Sequence, residues 1–375
     1  MAMDTQAIAA VGFPCTACGG PTRFDADSRQ LKCDYCGTDQ VIANKGGAPK
    51  EHALPDGPED DEEAVSTDWG VAQQAIQCEQ CGGRSLIPAA QTATTCAFCG
   101  SPKVLVQSGA RGIRPESLIP FHISLSGAAD RFIAWKRKRW FVPNAFKKGD
   151  INAKLTGIYI PYWTFDANTS SSYSAEVGVY HYRTVTKTRT VNGKTETYTD
   201  RERYTVWHST SGYYDRSFDD VLIPASGQYD TVLLERLGNF DLQQLISYKP
   251  EYLSGFIAER YSLSRSDGWK QARERMSETL TKEIRSEIGG DEIRSLRIAT
   301  DYDDRTYKHL LLPVWNASYN YKAKPYRYMV NGQTGLVSGR VPRSALKITL
   351  FVLACVAIVL AALLLYVSYD GSTPS

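Results

Sequence analysis

Cys15–Cys36 reads CTACGGPTRFDADSRQLKCDYC, a C-x2-C-x14-C-x2-C arrangement. Each C-x-x-C pair sets two sulfurs on one tight turn, and two such turns supply four thiolates for a tetrahedral zinc ion. Glycine follows both pairs, at Gly19–Gly20 and Gly37, where a turn needs a positive φ. The interval holds Asp-Ala-Asp-Ser, a natural reversal for a short hairpin between two knuckles. The same spacing returns 63 residues later at Cys78, Cys81, Cys96 and Cys99, followed by Gly82–Gly83 and Gly100. Two equal matches predict two zinc ribbons, over 11–43 and 74–107, each binding one structural Zn2+.

Four thiolates leave no open coordination position, so these sites hold a fold rather than activate water. An iron–sulfur cluster would use the same four ligands. Disulfides fit less well, because residues 1–14 carry no basic n-region and no long apolar core of a signal peptide. Ribbons of this size act by recognition. Their bases are sparse (Arg23, Arg29 and Lys32, then Arg84 and Lys103), as are their aromatics (Phe24, Tyr35, Phe98), so protein contact is favoured over nucleic acid. Residues 44–70, rich in Gly, Pro and acid and carrying the run Glu59-Asp60-Asp61-Glu62-Glu63, predict a flexible linker that repels phosphate.

Outward at the other end, 348–367 reads ITLFVLACVAIVLAALLLYV, 20 residues without a charge and with no polar face. A helix of that length matches a hydrocarbon core of about 30 Å. It predicts a single-pass transmembrane helix that also contains the ninth cysteine, Cys355. Arg340, Arg343 and Lys347 precede it, and only Asp370 follows, in the short tail 368–375. The positive-inside rule then sets the N-terminal bulk in the cytoplasm at the inner cell membrane, where thiols stay reduced. The sequons at Asn168 and Asn316 would matter only for a luminal domain.

Between these ends, 114–342 is long enough for one substantial core. Tyrosine and alternating Thr/Val predict an α+β domain with an antiparallel sheet. Strands are expected at 154–167 and 173–182, and Asn192-Gly193 is a two-residue hairpin turn. That hairpin is polar on both faces and should project from the body. A second hairpin is expected near Asn331-Gly332. Ile160-Pro161-Tyr162-Trp163 and Leu312-Pro313-Val314-Trp315 hint at two related halves flanking a helical insert over about 230–289. In the longest insert helix Trp269, Ala272, Met276, Leu280, Ile284 and Ile288 form one apolar stripe, and Gly289-Gly290 ends it. Trp135-Lys136-Arg137-Lys138-Arg139-Trp140 closes another helix, beginning near Ser126, and suits a solvated helix end, an anionic membrane surface or, less well, nucleic acid.

The five histidines form no H-E-x-x-H, and neither G-x-S-x-G nor a P-loop occurs, so a non-enzyme is expected. An enzyme would need an unrecognised pocket in the Tyr/Trp-rich domain. The paired C-x2-C-G motifs, IPYWTFD (160–166), VLIPASGQYD (221–230), YKPEYLSGFIAERY (248–261) and VNGQTGLVSGRVP (330–342) resemble a family of bacterial membrane proteins. Its members carry N-terminal zinc ribbons, a Tyr/Trp-rich α+β domain and a C-terminal transmembrane helix, and are often labelled TFIIB-type zinc ribbon or primosomal helicase-like proteins. The chain holds no helicase core to match the second label. The resemblance implies a membrane anchor for flotillin-like or phage-shock-type envelope-stress proteins. The expected function is a cytoplasm-facing scaffold recruiting protein partners at the lipid surface; a membrane-tethered nucleic-acid binder is the alternative.

Overall fold

The computed structural model describes residues 13–43, 50–55, 73–79, 84–88, 104–107, 113–148, 155–191, 194–229, 231–238, 240–321 and 324–370. The first cysteine segment forms an antiparallel three-stranded sheet of β1 (Thr22–Asp25), β2 (Gln30–Cys33) and β3 (Asp39–Gln40). Asp25 makes the reversal. Its carboxylate accepts the Ser28 N–H at 2.9 Å, its carbonyl accepts the Arg29 N–H, and Arg29 takes φ +56°. This little sheet is not a free bead. Phe24 N–H donates to the Ser254 carbonyl, Ser254 Oγ donates to the Thr22 carbonyl, and the Phe24 ring meets Tyr252 edge-on at 5.3 Å. Apolar burial on the larger body adds what so small a unit cannot supply alone.

The remaining twelve described strands share one sheet. β4 (His52–Ala53) comes from the segment expected as linker. It pairs with Thr306 and Tyr307, while Glu51 pairs with Lys308 and His52 with Glu116. The linker is thus held to the sheet over 50–55; its acidic run lies outside the described residues. β5 (Gln73–Cys78), β6 (Arg84–Pro88) and β7 (Val104–Gln107) carry the second cysteine segment into the same sheet. Then come β8 (Ser117–Leu118), α1 (Leu125–Lys138), α2 (Asn144–Lys148), β9 (Thr156–Val191) and β10 (Lys194–Pro224). The expected helical insert is α3 (Thr231–Glu235), single 3-10 turns at Leu242–Gln244 and Pro250–Leu253, and α4 (Arg265–Ile288). Short strands β11 (Ile246–Ser247) and β12 (Ile257–Glu259) interrupt it, because the sheet has edges there to pair with. β13 (Glu292–Tyr321), β14 (Lys324–Asn331), β15 (Val337–Gly339) and α5 (Ala345–Asp370) complete the chain.

β9 and β13 run antiparallel, with Ile160 opposite Leu312 and Pro161 opposite Leu311. The two proline motifs therefore meet at the middle of the sheet, and a pseudo-twofold axis passes between them. The halves it relates are β8–α1–β9–β10 and β12–α4–β13–β14. Hydrogen bonds repeat across the axis. Ala225 N–H donates to the Pro161 carbonyl and Gly332 N–H to the Pro313 carbonyl, both within 2.9 Å. The N–H groups of Ser262 and Leu263 converge on the Ala225 carbonyl, and those of His122 and Ile123 on the Gly332 carbonyl. Trp163 Nε1 donates to the Leu263 carbonyl at 3.0 Å and Trp315 Nε1 to the Ile123 carbonyl at 2.8 Å. Each carbonyl immediately precedes a helix N-cap serine, Ser264 or Ser124. The short strands are exchanged: β8 pairs parallel to β13, and β12 parallel to β9. Each half is thus completed by the other.

Both helices cover this sheet. Ala272, Met276, Leu280 and Ile284 of α4 are buried with Trp163, Phe165, Phe218 and Ile223, so the apolar stripe packs on its own domain. On α1, Phe132 stacks on Tyr328 of β14 with centroids 3.5 Å apart.

Candidate metal centre and membrane neck

The sequence-local logic of the first cysteine cluster is carried through to three dimensions. Cys15 and Cys18 lie before β1, Cys33 ends β2 and Cys36 follows it. Gly19 N–H donates to the Cys15 carbonyl and Gly37 N–H to the Cys33 carbonyl, and both glycines take φ near +72° (+72° and +73°). These are two equivalent knuckles. They bring the four Sγ atoms within 4.8 Å of one another, with Cys15–Cys36 and Cys18–Cys33 each at 3.5 Å. Sulfurs at the corners of a tetrahedron with bonds of about 2.3 Å stand roughly 3.8 Å apart. The donor set therefore fits a tetrahedral metal ion. Ala17 N–H points at Cys15 Sγ from 3.4 Å, and Thr38 Oγ1 lies 3.1 Å from Cys36 Sγ. The Thr38 hydroxyl and amide hold the Cys36 thiol down to about 6. At Cys18 the Gly20 N–H favours thiolate, but the neighbouring sulfurs of Cys36 and Cys33 push the thiol up to about 12. Four thiolates at this spacing need a cation to coexist.

Of the second cluster only Cys78 falls within the described residues. It is buried at the end of β5, opposite Val104, within an apolar cluster that includes Ile158 and Leu312. Cys81, Cys96 and Cys99 lie outside the described residues.

The basic cluster 135–140 divides. Lys136 is buried with its ammonium 5.6 Å from the Phe146 ring centroid, so it does not join a surface of four charges. Arg137, Lys138 and Arg139 are exposed, Arg139 lying over the half-buried Trp135, and Trp140 is 73% exposed. These residues abut the start of α5. Ser344 N–H donates to the Phe141 carbonyl. Lys347 Nζ donates to the Val142 carbonyl at 2.9 Å and to Asn144 Oδ1 at 2.7 Å, and Phe141 meets Phe351 edge-on at 5.3 Å. Ala345–Tyr366 of α5 is 22 residues long, unburied, and apolar enough to cross a membrane. Lys347 is marked in the sequence as the last charge before the apolar run; Lys147, which lines the same hollow, carries no such signal.

Two further polar clusters had no sequence signal. Asp166, Asp219 and Asp220 stand close together, but Lys308 Nζ sits 2.7 Å from Asp220 Oδ1 and Asp166 accepts from Thr306 Oγ1 and the Asp220 N–H. Lys308, shared with Glu51, offsets one of the three charges, and hydrogen bonds brace the rest of Asp166. Glu259 on β12 is 1% exposed and accepts the Ser226 hydroxyl at 2.6 Å; burial pushes its carboxyl up to about 8.

No family model matches the chain, and no solved structure does. Among curated proteins it is similar to the uncharacterized protein YdjG of Bacillus subtilis (strain 168). The two are 28% identical over 343 residues, covering 90% of this chain and 92% of that one.

Proposed function

We propose that this chain is a membrane-anchored, cytoplasm-facing platform that recruits protein partners, with Zn2+ held by Cys15, Cys18, Cys33 and Cys36 as a structural element. The observation that carries this reading is the outer part of the β9–β10 hairpin. β13 leaves β9 at Gly178, opposite Glu292, yet β9 and β10 continue paired to Val191 and Lys194. Thirteen residue pairs at ~3.4 Å give an arm of about 40 Å. Tyr180 N–H still donates to Asp291 Oδ2, but beyond it both backbone edges are open among the described residues, and open edges are templates for another chain. One face carries the ion pairs Arg183–Glu202, Lys187–Asp200 and Arg189–Glu196. The other carries Thr184, Thr186, Thr188, Thr190, Thr195, Thr197 and Thr199 with Arg201 and Arg203, and no acid. The arm buries no core of its own, so its length is explained by what it touches.

Attachment of Arg137–Trp140 to the base of α5 favours lipid over nucleic acid as the neighbour of that cluster. By resemblance, flotillin-like and phage-shock-type proteins are the first partners to try. The test compares the full chain with a variant whose residues 181–204 are replaced by a two-residue Asn-Gly turn, each affinity-purified from detergent extracts. A partner held by the parent and lost by the variant supports the reading. Failure of the parent to recover any reproducible partner sinks it.

A further inference from the structure

The neck between body and apolar helix holds a cavity of about 480 Å³, lined by Trp140, Lys147, Lys347, Leu350, Phe351 and Ala354. Its lining changes character along its length. Two ammonium groups and an exposed indole lie at the body end, and Leu350, Phe351 and Ala354 of the apolar run lie at the other. The segments that build it, 136–148 and 340–354, contain nine basic residues and no acidic one. Among the described residues no carboxylate pairs with Arg137, Lys138, Arg139, Lys147, Arg343 or Lys347. The acceptors of Lys347 are neutral: the Val142 and Trp140 carbonyls and Asn144 Oδ1. Lys147 gives one N–H to the Arg137 carbonyl at 3.0 Å and keeps two for a ligand. A positive charge fixed against neutral oxygens stays uncancelled. A site that is cationic at the polar boundary and apolar below matches a molecule with a phosphodiester head and a hydrocarbon tail.

We propose that this cavity is a binding site for one anionic phospholipid, its phosphodiester between Lys147 and Lys347 with the Trp140 indole beside it, and an acyl chain along Leu350, Phe351 and Ala354. Arg137, Lys138 and Arg139 form the outer collar that concentrates anionic headgroups around it. The site rests on reading α5 as a membrane anchor. It fixes the rotation of α5 relative to the body as well as its depth, because the lipid bridges α2 and the first turns of α5.

The experiment uses the full chain in mixed phosphatidylglycerol and phosphatidylcholine nanodiscs, extracted into detergent and examined by native mass spectrometry. Retention of one phosphatidylglycerol, with phosphatidylcholine washed away, is expected. Lys147→Gln and Ala354→Trp, the second filling the cavity without touching a charge, should each lower that retention, the lysine change by about fivefold for the one charge removed. Metal content serves as the folding control. Equal retention of both lipids, or retention unchanged in both variants, overturns the site. Alkaline carbonate extraction separates this failure from loss of the anchor reading: a chain that stays with membranes but shows no charge preference has lost only the lipid site. A chain released into the soluble fraction has lost both.

Discussion

Glu259 is a carboxyl group held where a charge is costly. Its Oε1 accepts from Ser226, Oε2 finds no partner among the described residues, and burial raises its pKa from 4.5 to about 8. Between those values the folded chain keeps a proton that the unfolded chain has released. Stability contributed by this group therefore falls as pH rises through that window. Glu259→Gln preserves the Ser226 hydrogen bond and removes the ionisation. The variant should nearly match the parent near pH 4.5 and exceed it at pH 8.5 by about 4 kcal/mol. Thermal melts at the two pH values check this, and an equal difference at both would refute it. Nothing in the sequence marks Glu259, because its character comes from β6 and β9 closing over β12. Cys15, Cys18, Cys33 and Cys36 are the opposite case. Their chemistry is set by spacing and by Gly19 and Gly37, all local, and the sequence predicts the cluster ligand by ligand.

At the scale of elements, the paired tryptophans are the sharpest test of the pseudo-twofold. Trp163 and Trp315 occupy matching places on β9 and β13, and each ties a strand to the residue before a helix N-cap. Trp163→Phe and Trp315→Phe each lose an indole hydrogen bond and some buried ring, at a cost of about 2 kcal/mol. Denaturant titration should give similar losses for the two, and a near-zero loss for the exposed Trp140→Phe. A large effect at one site only would mean that the symmetry is of backbone and not of energetics. The sequence made α4 legible through its stripe and its Gly289-Gly290 stop, and α1 through the basic cluster at its end, with a start expected near Ser126 and found at Leu125. It showed the long strands only in pieces. The gap left between the expected strands 154–167 and 173–182, with Asn168 and the Ser170–Ser172 run, lies inside β9, where pairing on both edges carries the strand through. β8 and β12 are too short for any periodicity to reveal.

For the whole molecule, exchange of those short strands makes the body a single cooperative unit despite its internal repeat. A split after Gly238 separates the halves: the first fragment lacks β13 and the second lacks β8 and β9. Neither fragment alone should show a cooperative thermal transition, while co-expression should give a co-purifying pair that melts as one. An independent transition in either fragment would show that the halves are domains. The first cysteine module belongs to the same unit through Phe24 and Ser254.

The same exchange bears on how the chain is made. Ser117 and Leu118 pair with Leu310 and Leu311, about 190 residues further on. At a synthesis rate of about 5–20 residues per second, β8 waits roughly 10–40 s for its partner to leave the ribosome. Throughout that interval Leu118, Ile119 and Phe121, all fully buried at the end, have only part of their native cover: Tyr159, Ile246 and Phe256 are made first, and Leu310, Leu311 and Trp315 come last. The yield of folded chain should therefore depend on translation speed between β8 and β13.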